Sequence, residues 1–173
     1  MVFLSPQGRR FDQNVARSMA AHPGMVLVAG RYEGFDERLV ESEADDEISL
    51  GDFVLSGGEI AAVAVIDAVV RLQPGALGDE VSAEQDSFKD SLLDFPHFTR
   101  PEVIDDMVVP PVLTSGDHEK IRRWRLKQAL GRTYLRRPDL LEVRQLTTEE
   151  QQLLREYLAE QELDAGGNGP VRH

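Results

Sequence analysis

The sequence predicts an α/β unit followed by a smaller, mainly helical one. Three observations carry this expectation. Short apolar runs of strand length alternate with helix-length segments through residues 1–77. Residues 78–92 are polar and acidic with no sustained period, as a linker would be. Residues 93–163 then combine a proline-punctuated stretch with two long helical segments, ahead of a Gly-rich tail from 164 to 173 that is expected to be disordered. A chain of 173 residues can bury a core in one domain or in two small ones.

The elements follow in order. Val2-Phe3-Leu4 reads as a strand running into a turn at Ser5-Pro6-Gln7-Gly8. In residues 11–22, Phe11, Val15 and Met19 recur at helical spacing and Pro23-Gly24 supplies the stop. Met25 to Ala29 is a continuous apolar run closed by Gly30, as in a buried strand. Strand, helix, strand implies a parallel crossover. Phe35 to Ser42 can form a helix, and an acidic stretch leads to a short strand near Ile48. Gly57-Gly58 opens a helix from Glu59 to Leu72, apolar almost all round and so expected to be buried, with a subunit interface as one way to bury it. Pro96, Pro101, Pro110 and Pro111 predict extended segments between residues 95 and 113. Asp117 caps a helix to about Arg136, where Arg137-Pro138 ends it, and Thr147 or Thr148 caps a last helix with an apolar stripe of Leu153, Leu154, Tyr157 and Leu158.

Composition narrows the function classes. There is no cysteine and only four histidines, widely spaced, so no disulfide, thiol nucleophile or His/Cys metal centre is expected. No apolar run approaches the roughly 20 residues that span a bilayer, and the start lacks the basic flank of a signal peptide; a cytoplasmic, non-membrane protein is expected. The net charge of −12 argues against binding nucleic acid over the whole surface. The charge is uneven, however. Between His118 and Arg144 nine Lys or Arg face three acids, so a basic segment sits on an acidic body, which suits a polyanion bound on one face.

Three loops can carry chemistry: residues 5–8, 30–34 and 50–58. In open α/β sheets the ligand site lies outside the carboxyl ends of the strands, where glycine lets a ligand approach the backbone. Each loop alone could be a tight turn, and Ser-Gly-Gly before a helix is also a generic anion nest, so spacing does not separate a nucleotide phosphate from a methyl donor.

The strings LSPQGR, GRYEGFDER, SLGDFVLSGGE, PHFTRPEV, VPPVLTSGDH and IRRWRLKQALGRT, in this order, resemble the bacterial-type tRNA (guanine-N1)-methyltransferases up to about residue 160. The resemblance implies a SPOUT-class α/β domain with a trefoil knot, an exception to the rule against threading, followed by a helical tRNA-binding domain. It implies S-adenosylmethionine held in the knot mainly by backbone groups: Gly30 and the run Leu50, Gly51, Asp52, Phe53, Val54 and Leu55, with Leu4, Ser5, Pro6, Tyr32, Glu33, Gly57 and Gly58 around them. The product expected is guanosine methylated on N1 at tRNA position 37. Asp86 matches the family's catalytic base; otherwise it reads as one solvated acid among several. Arg71 caps the buried helix electrostatically, and the resemblance adds a hydrogen bond to the guanine O6. Arg122, Arg125, Lys127 and Arg132 are candidates for tRNA phosphates, against the plain reading of a salt-bridged surface. Trp124 reads as core, and His97, beside Asp94, as a hydrogen-bonded structural residue. A homodimer is implied; Mg2+ has room in the reaction but no ligand cluster calls for it.

The sequence departs from the family at its start. The roughly 80 residues that members carry ahead of the equivalent of Leu4, including a glycine-rich loop for the target guanosine, are absent, so an exposed sheet edge and uncovered apolar faces are expected. The expectation is a fragment of a longer enzyme, with an inactive donor- or tRNA-binding module, or a SPOUT enzyme of another RNA position, as alternatives.

Overall fold

The computed structural model describes residues 1–76, 88 and 91–166, and the chain divides into two units, Met1–Glu84 and Gln85–His173. Most of the expected linker, Asp86 with it, and the tail beyond Gly166 lie outside the described residues. In the first unit β1 (Val2–Arg10), β2 (Leu27–Ala29) and β3 (Asp46–Ser49) form a parallel sheet in the order β2-β1-β3. The connection β1, α1 (Gln13–Ala20), β2 is the expected crossover. Asp12 opens α1, its side chain accepting from the backbone N–H groups of Asn14 and Val15 at 2.9 Å each, which satisfies two donors that the first turn leaves unpaired.

The expected turn at residues 5–8 lies instead inside β1. Leu4 and Arg9 both pair with Ile48, so the intervening residues are looped out and the strand then resumes its pairing with β3. Two features bring the chain back. A Cβ on Gly8 would stand 2.4 Å from the carbonyl carbon of Glu47, so glycine is what lets β1 press on the neighbouring backbone. Arg9 then donates Nε and Nη2 to Asp46 at 3.0 and 2.5 Å, and that hydrogen-bonded guanidinium holds the Asp46 carboxyl below its ordinary value.

Alternation along β1 divides the core. Leu4, with Ile48 of β3, packs against α1 and α3 (Glu59–Val70) through Val15, Ala16, Met19, Ala61, Val65 and Val69. Phe3, 1% exposed, packs edge-to-face with Phe35, their ring centres 4.9 Å apart and the planes at 79°. Phe35 leads into α2 (Glu37–Glu43), capped by Asp36. The helix α3 departs from expectation. Its stripe of Ala61, Val65 and Val69 is buried, but Ile60, Val63, Ile66 and Val70 are exposed. A helix laid on one sheet face covers one stripe only, and nothing among the described residues covers the other.

The second unit holds α4 (Pro111–Thr114), α5 (His118–Arg136), α6 (Asp139–Glu142) and α7 (Thr148–Gly166). It also holds a hairpin that the sequence reading did not resolve within its extended stretch, β4 (Val103–Ile104) with β5 (Met107–Val108). Asp105 and Asp106 make its two-residue turn at φ 48° and 63°, the left-handed pair that matches strand twist and that Asp tolerates. Asp117 caps α5, accepting from the Lys120 N–H at 3.1 Å. Thr147 opens α7 as a reciprocal box: Glu150 N–H donates to Thr147 Oγ1 at 3.2 Å and Thr147 N–H to Glu150 Oε2 at 2.8 Å. The helix continues to Gly166, past the expected start of the tail. Leu130, Leu153 and Tyr157 form the α5–α7 core. A Cβ on Gly131 would fall 2.2 Å from the Tyr157 ring, so glycine sets how closely the helices approach.

Candidate functional site

Parallel pairing puts the loops after β2 and β3, together with the looped-out residues of β1, at one end of the sheet. They enclose a cleft of about 350 Å³ lined by residues 4–7, 30–35, 47–51 and 53–58, with Glu37, Val40 and Ala61. The structure therefore brings together all of Gly30, Leu50, Gly51, Phe53, Val54, Leu55, Leu4, Ser5, Pro6, Tyr32, Glu33, Gly57 and Gly58. Asp52, although within the same loop, is absent from the lining. A volume of this size accepts a small-molecule ligand.

Glycine has a physical task at two of these points. The Gly58 N–H donates to Gly30 O at 2.8 Å, and a Cβ on Gly58 would lie 3.0 Å from Ala29 Cα and 3.1 Å from Gly30 N. Gly51, at φ 149°, turns the chain so that Phe53 N–H reaches Gly51 O at 2.9 Å. Ser49, 6% exposed, braces this turn by accepting from Gly51 N–H at 3.2 Å. Arg31 joins the two longer loops: it bridges Gly57 and forms an ion pair with Glu59 at the head of α3. That guanidinium holds the Glu59 carboxyl below its ordinary value.

The charge of the lining separates ligand classes that spacing left open. It contains Glu33, Glu37 and Glu47 and a single basic residue, Arg31, which Glu59 already engages. A phosphate cradle needs donors and positive potential. Here carboxylates flank backbone amides, an environment that suits a ligand carrying positive charge. Phe35, Glu37, Val40 and Glu47 were missed by sequence reasoning. Phe35 and Glu37 lie within the GRYEGFDER string but beyond its loop of residues 30–34, whereas Val40 and Glu47 reach the cleft only because α2 and β3 fold beside it.

The other expected residues fall elsewhere. Asp86 lies outside the described residues. Arg71 is exposed at the C-terminus of α3, where its N–H donates to Asp67 O at 3.1 Å, and it is not in the cleft lining. Of the basic candidates on α5, Arg122 is engaged by Glu119 and Glu149 at 2.7 and 2.8 Å, and Lys127 by Glu160 at 2.6 Å. Hydrogen bonds to the two carboxylates raise the Arg122 pKa above its ordinary value. The Arg125 guanidinium lies 4.7 Å from the centre of the Phe95 ring, and its Nε is buried without a hydrogen-bond partner. Arg132 makes no ion pair among the described residues. Nor does any group of three or more His, Cys, Asp or Glu among them stand where it could hold a metal ion, and none of their helices is long and apolar enough to cross a membrane.

The family model described as tRNA (guanine-1)-methyltransferase TrmD matches residues 1–143. The chain belongs to this family. Curated relatives named tRNA (guanine-N(1)-)-methyltransferase agree. The one from Hahella chejuensis is 66% identical over 156 residues, which is 90% of this chain and 60% of the relative. Those from Alcanivorax borkumensis and Vibrio cholerae are 61% and 59% identical, covering 93% and 92% of this chain and 63% and 65% of theirs. The chain thus spans somewhat under two thirds of the length of these tRNA (guanine-1)-methyltransferase relatives. The family match covers all three cleft-forming loops and the whole of α5.

Proposed function

We propose that this chain contributes the methyl-donor site and a tRNA-binding unit of an S-adenosylmethionine-dependent tRNA (guanine-N1)-methyltransferase acting on the guanosine at tRNA position 37. The observation that carries this reading is the cleft. Three family-matched loops converge on one end of a parallel sheet, two of them drawn together by the Gly58 N–H to Gly30 O bond, and the cleft they form is lined by carboxylates, with Arg31 as its one basic lining residue among the described residues. S-adenosylmethionine, which supplies an electrophilic methyl on a positively charged sulfonium, fits that combination. The residues proposed to hold it are Gly30, Leu50, Gly51, Phe53, Val54 and Leu55 with Leu4, Ser5, Pro6, Tyr32, Glu33, Gly57 and Gly58; Asp52 contributes through its place in the loop. We place this domain in the SPOUT class with its trefoil knot.

Guanine N1 carries a proton at neutral pH, so its lone pair is free to attack only if a base takes that proton as the new bond forms. Asp86 is proposed as this base. Arg71 is proposed to donate to O6, where negative charge develops as N1 loses its proton. On α5 the tRNA candidates sort by pairing: Arg132, which makes no ion pair among the described residues, is proposed to meet a phosphate, whereas Arg122 and Lys127 would first release Glu119, Glu149 or Glu160. The exposed apolar face of α3 supports a homodimer. Mg2+ is left to be tested by its removal.

Calorimetric titration of the donor, together with methyl transfer to a tRNA transcript in the presence and absence of EDTA, tests this reading. Donor binding and transfer that vanishes when the position-37 guanosine is replaced are expected. Transfer that survives the replacement would overturn the assignment, and donor binding without any transfer would reduce the chain to a binding module.

A further inference from the structure

The second unit carries a run of planar side chains that the proposed chemistry leaves unused. The Arg125 guanidinium sits 4.7 Å from the centre of the Phe95 ring. The His97 imidazole lies 4.7 Å from the same ring, tilted by 41°. Phe98 and Trp124 form a second pair, 6.4 Å apart. The segment is anchored on α5, since Leu93 N–H donates to Thr133 Oγ1 at 2.8 Å.

His97 is 63% exposed at its side chain, yet it is held in place. Asp94 holds it through one carboxylate oxygen while the other ties the carboxylate to the backbone: Oδ2 lies 2.7 Å from His97 Nε2, and Oδ1 accepts from the Phe95 N–H at 2.8 Å. A carboxylate only accepts, so the ring nitrogen donates. Fixing an exposed ring costs side-chain entropy, and one hydrogen bond at the surface returns little stability. Phe98, the next residue along, is also exposed and pairs with Trp124 of α5. His97 and Asp94 offer too few ligands for a metal, for the described residues contain no third His or acid placed to complete one.

Orientation without burial is what a stacking surface requires. We propose that His97, backed by Phe95 and Arg125 and followed in the chain by the exposed Phe98, is a platform on which one unpaired base of the substrate RNA stacks, a base other than the guanine that receives the methyl group. Single-stranded loops are recognised by splaying bases onto aromatic and guanidinium planes, and a duplex offers no free base face. Arg132 and Arg136 on the same helix make no ion pair among the described residues. They add local phosphate attraction on a chain whose net charge is −12. The proposal rests on the reading that the chain acts on tRNA.

The test uses the full chain and tRNA transcripts carrying 2-aminopurine at each unpaired loop position in turn. One position, not the methylated one, is expected to be quenched on binding, and His97→Ala to abolish that quench. His97→Ala is also expected to weaken tRNA binding by roughly fivefold or more, with donor affinity and the pH profile of turnover unchanged. His97→Phe restores binding, because a planar face is what matters. Unchanged binding in His97→Ala overturns the platform, as does a Phe variant as weak as Ala. Should His97→Ala melt early, Phe98→Leu leaves the Asp94 clamp intact and is expected to show the same loss; no loss there overturns the proposal. A wild-type chain that binds no tRNA overturns the functional reading itself, a result distinct from failure of the His97 variants alone.

Discussion

Gly58 shows how much one absent side chain decides. Its N–H reaches Gly30 O only because no Cβ stands between the two loops. Gly58→Ala adds a methyl 3.0 Å from backbone that cannot step aside. Donor affinity is expected to fall by about tenfold, or 1.4 kcal/mol, with far smaller change in melting temperature; calorimetric titration beside a thermal melt checks both. Glu150 decides a different property. It is 8% exposed, and although burial pushes its carboxyl up, the Thr147 N–H and the Arg144 charge outweigh that and hold it below the ordinary 4.5. A carboxyl lowered on folding stabilises the protein above its unfolded value, and that stability is lost as pH falls through the lower folded value. Glu150→Gln is therefore expected to cost about 1–2 kcal/mol at neutral pH. It should also flatten the acid limb of the second unit's stability, read by urea melts across the carboxylate range. An unchanged acid limb would count against Glu150 as its source. Both residues sit in strings that the sequence made visible, SGGE and TTEE. The reason each matters, a backbone 3 Å away or an Arg144 six residues upstream, was not visible there.

At the scale of elements, the loop after β2 and the head of α3 act as one part. Arg31 bridges Gly57 through the backbone and pairs with Glu59 through its side chain. Such an exposed pair contributes little to global stability, so its value lies in holding two walls of the cleft at one separation. Arg31→Glu or Glu59→Arg alone is expected to weaken donor binding several-fold while leaving the fold intact, and the double exchange to recover most of it. Absence of recovery in the double-mutant cycle would show that the two act separately. The helices and strands were largely readable in advance because caps and apolar period are local signals: Asp117 and α5, Gly57-Gly58 and α3. The reading failed at residues 5–8, where turn-forming residues stand inside β1. Resumed pairing there depends on Gly8 against Glu47 and on Arg9 against Asp46, partners that lie far along the chain.

At the scale of the whole molecule, α3 presents Ile60, Val63, Ile66 and Val70 to solvent in the isolated chain. A face of this kind marks an interface. If it serves the proposed homodimer, Ile66→Asp is expected to shift the protein toward monomer in sedimentation velocity and to leave the far-ultraviolet spectrum unchanged. A variant that associates like the wild type would free this face from that role. The sequence by itself determined the family, the parallel crossover and the identity of the glycine loops, because these are written in periodicity, caps and contiguous motifs. Only the tertiary structure decided which of those residues share a cleft, that carboxylates of α2 and β3 join them, and that two of the four candidate cations on α5, Arg122 and Lys127, are paired with acids of α7. Charge pairing and cleft shape are set by elements that meet in space after long intervals of chain, and a linear pattern does not record that meeting.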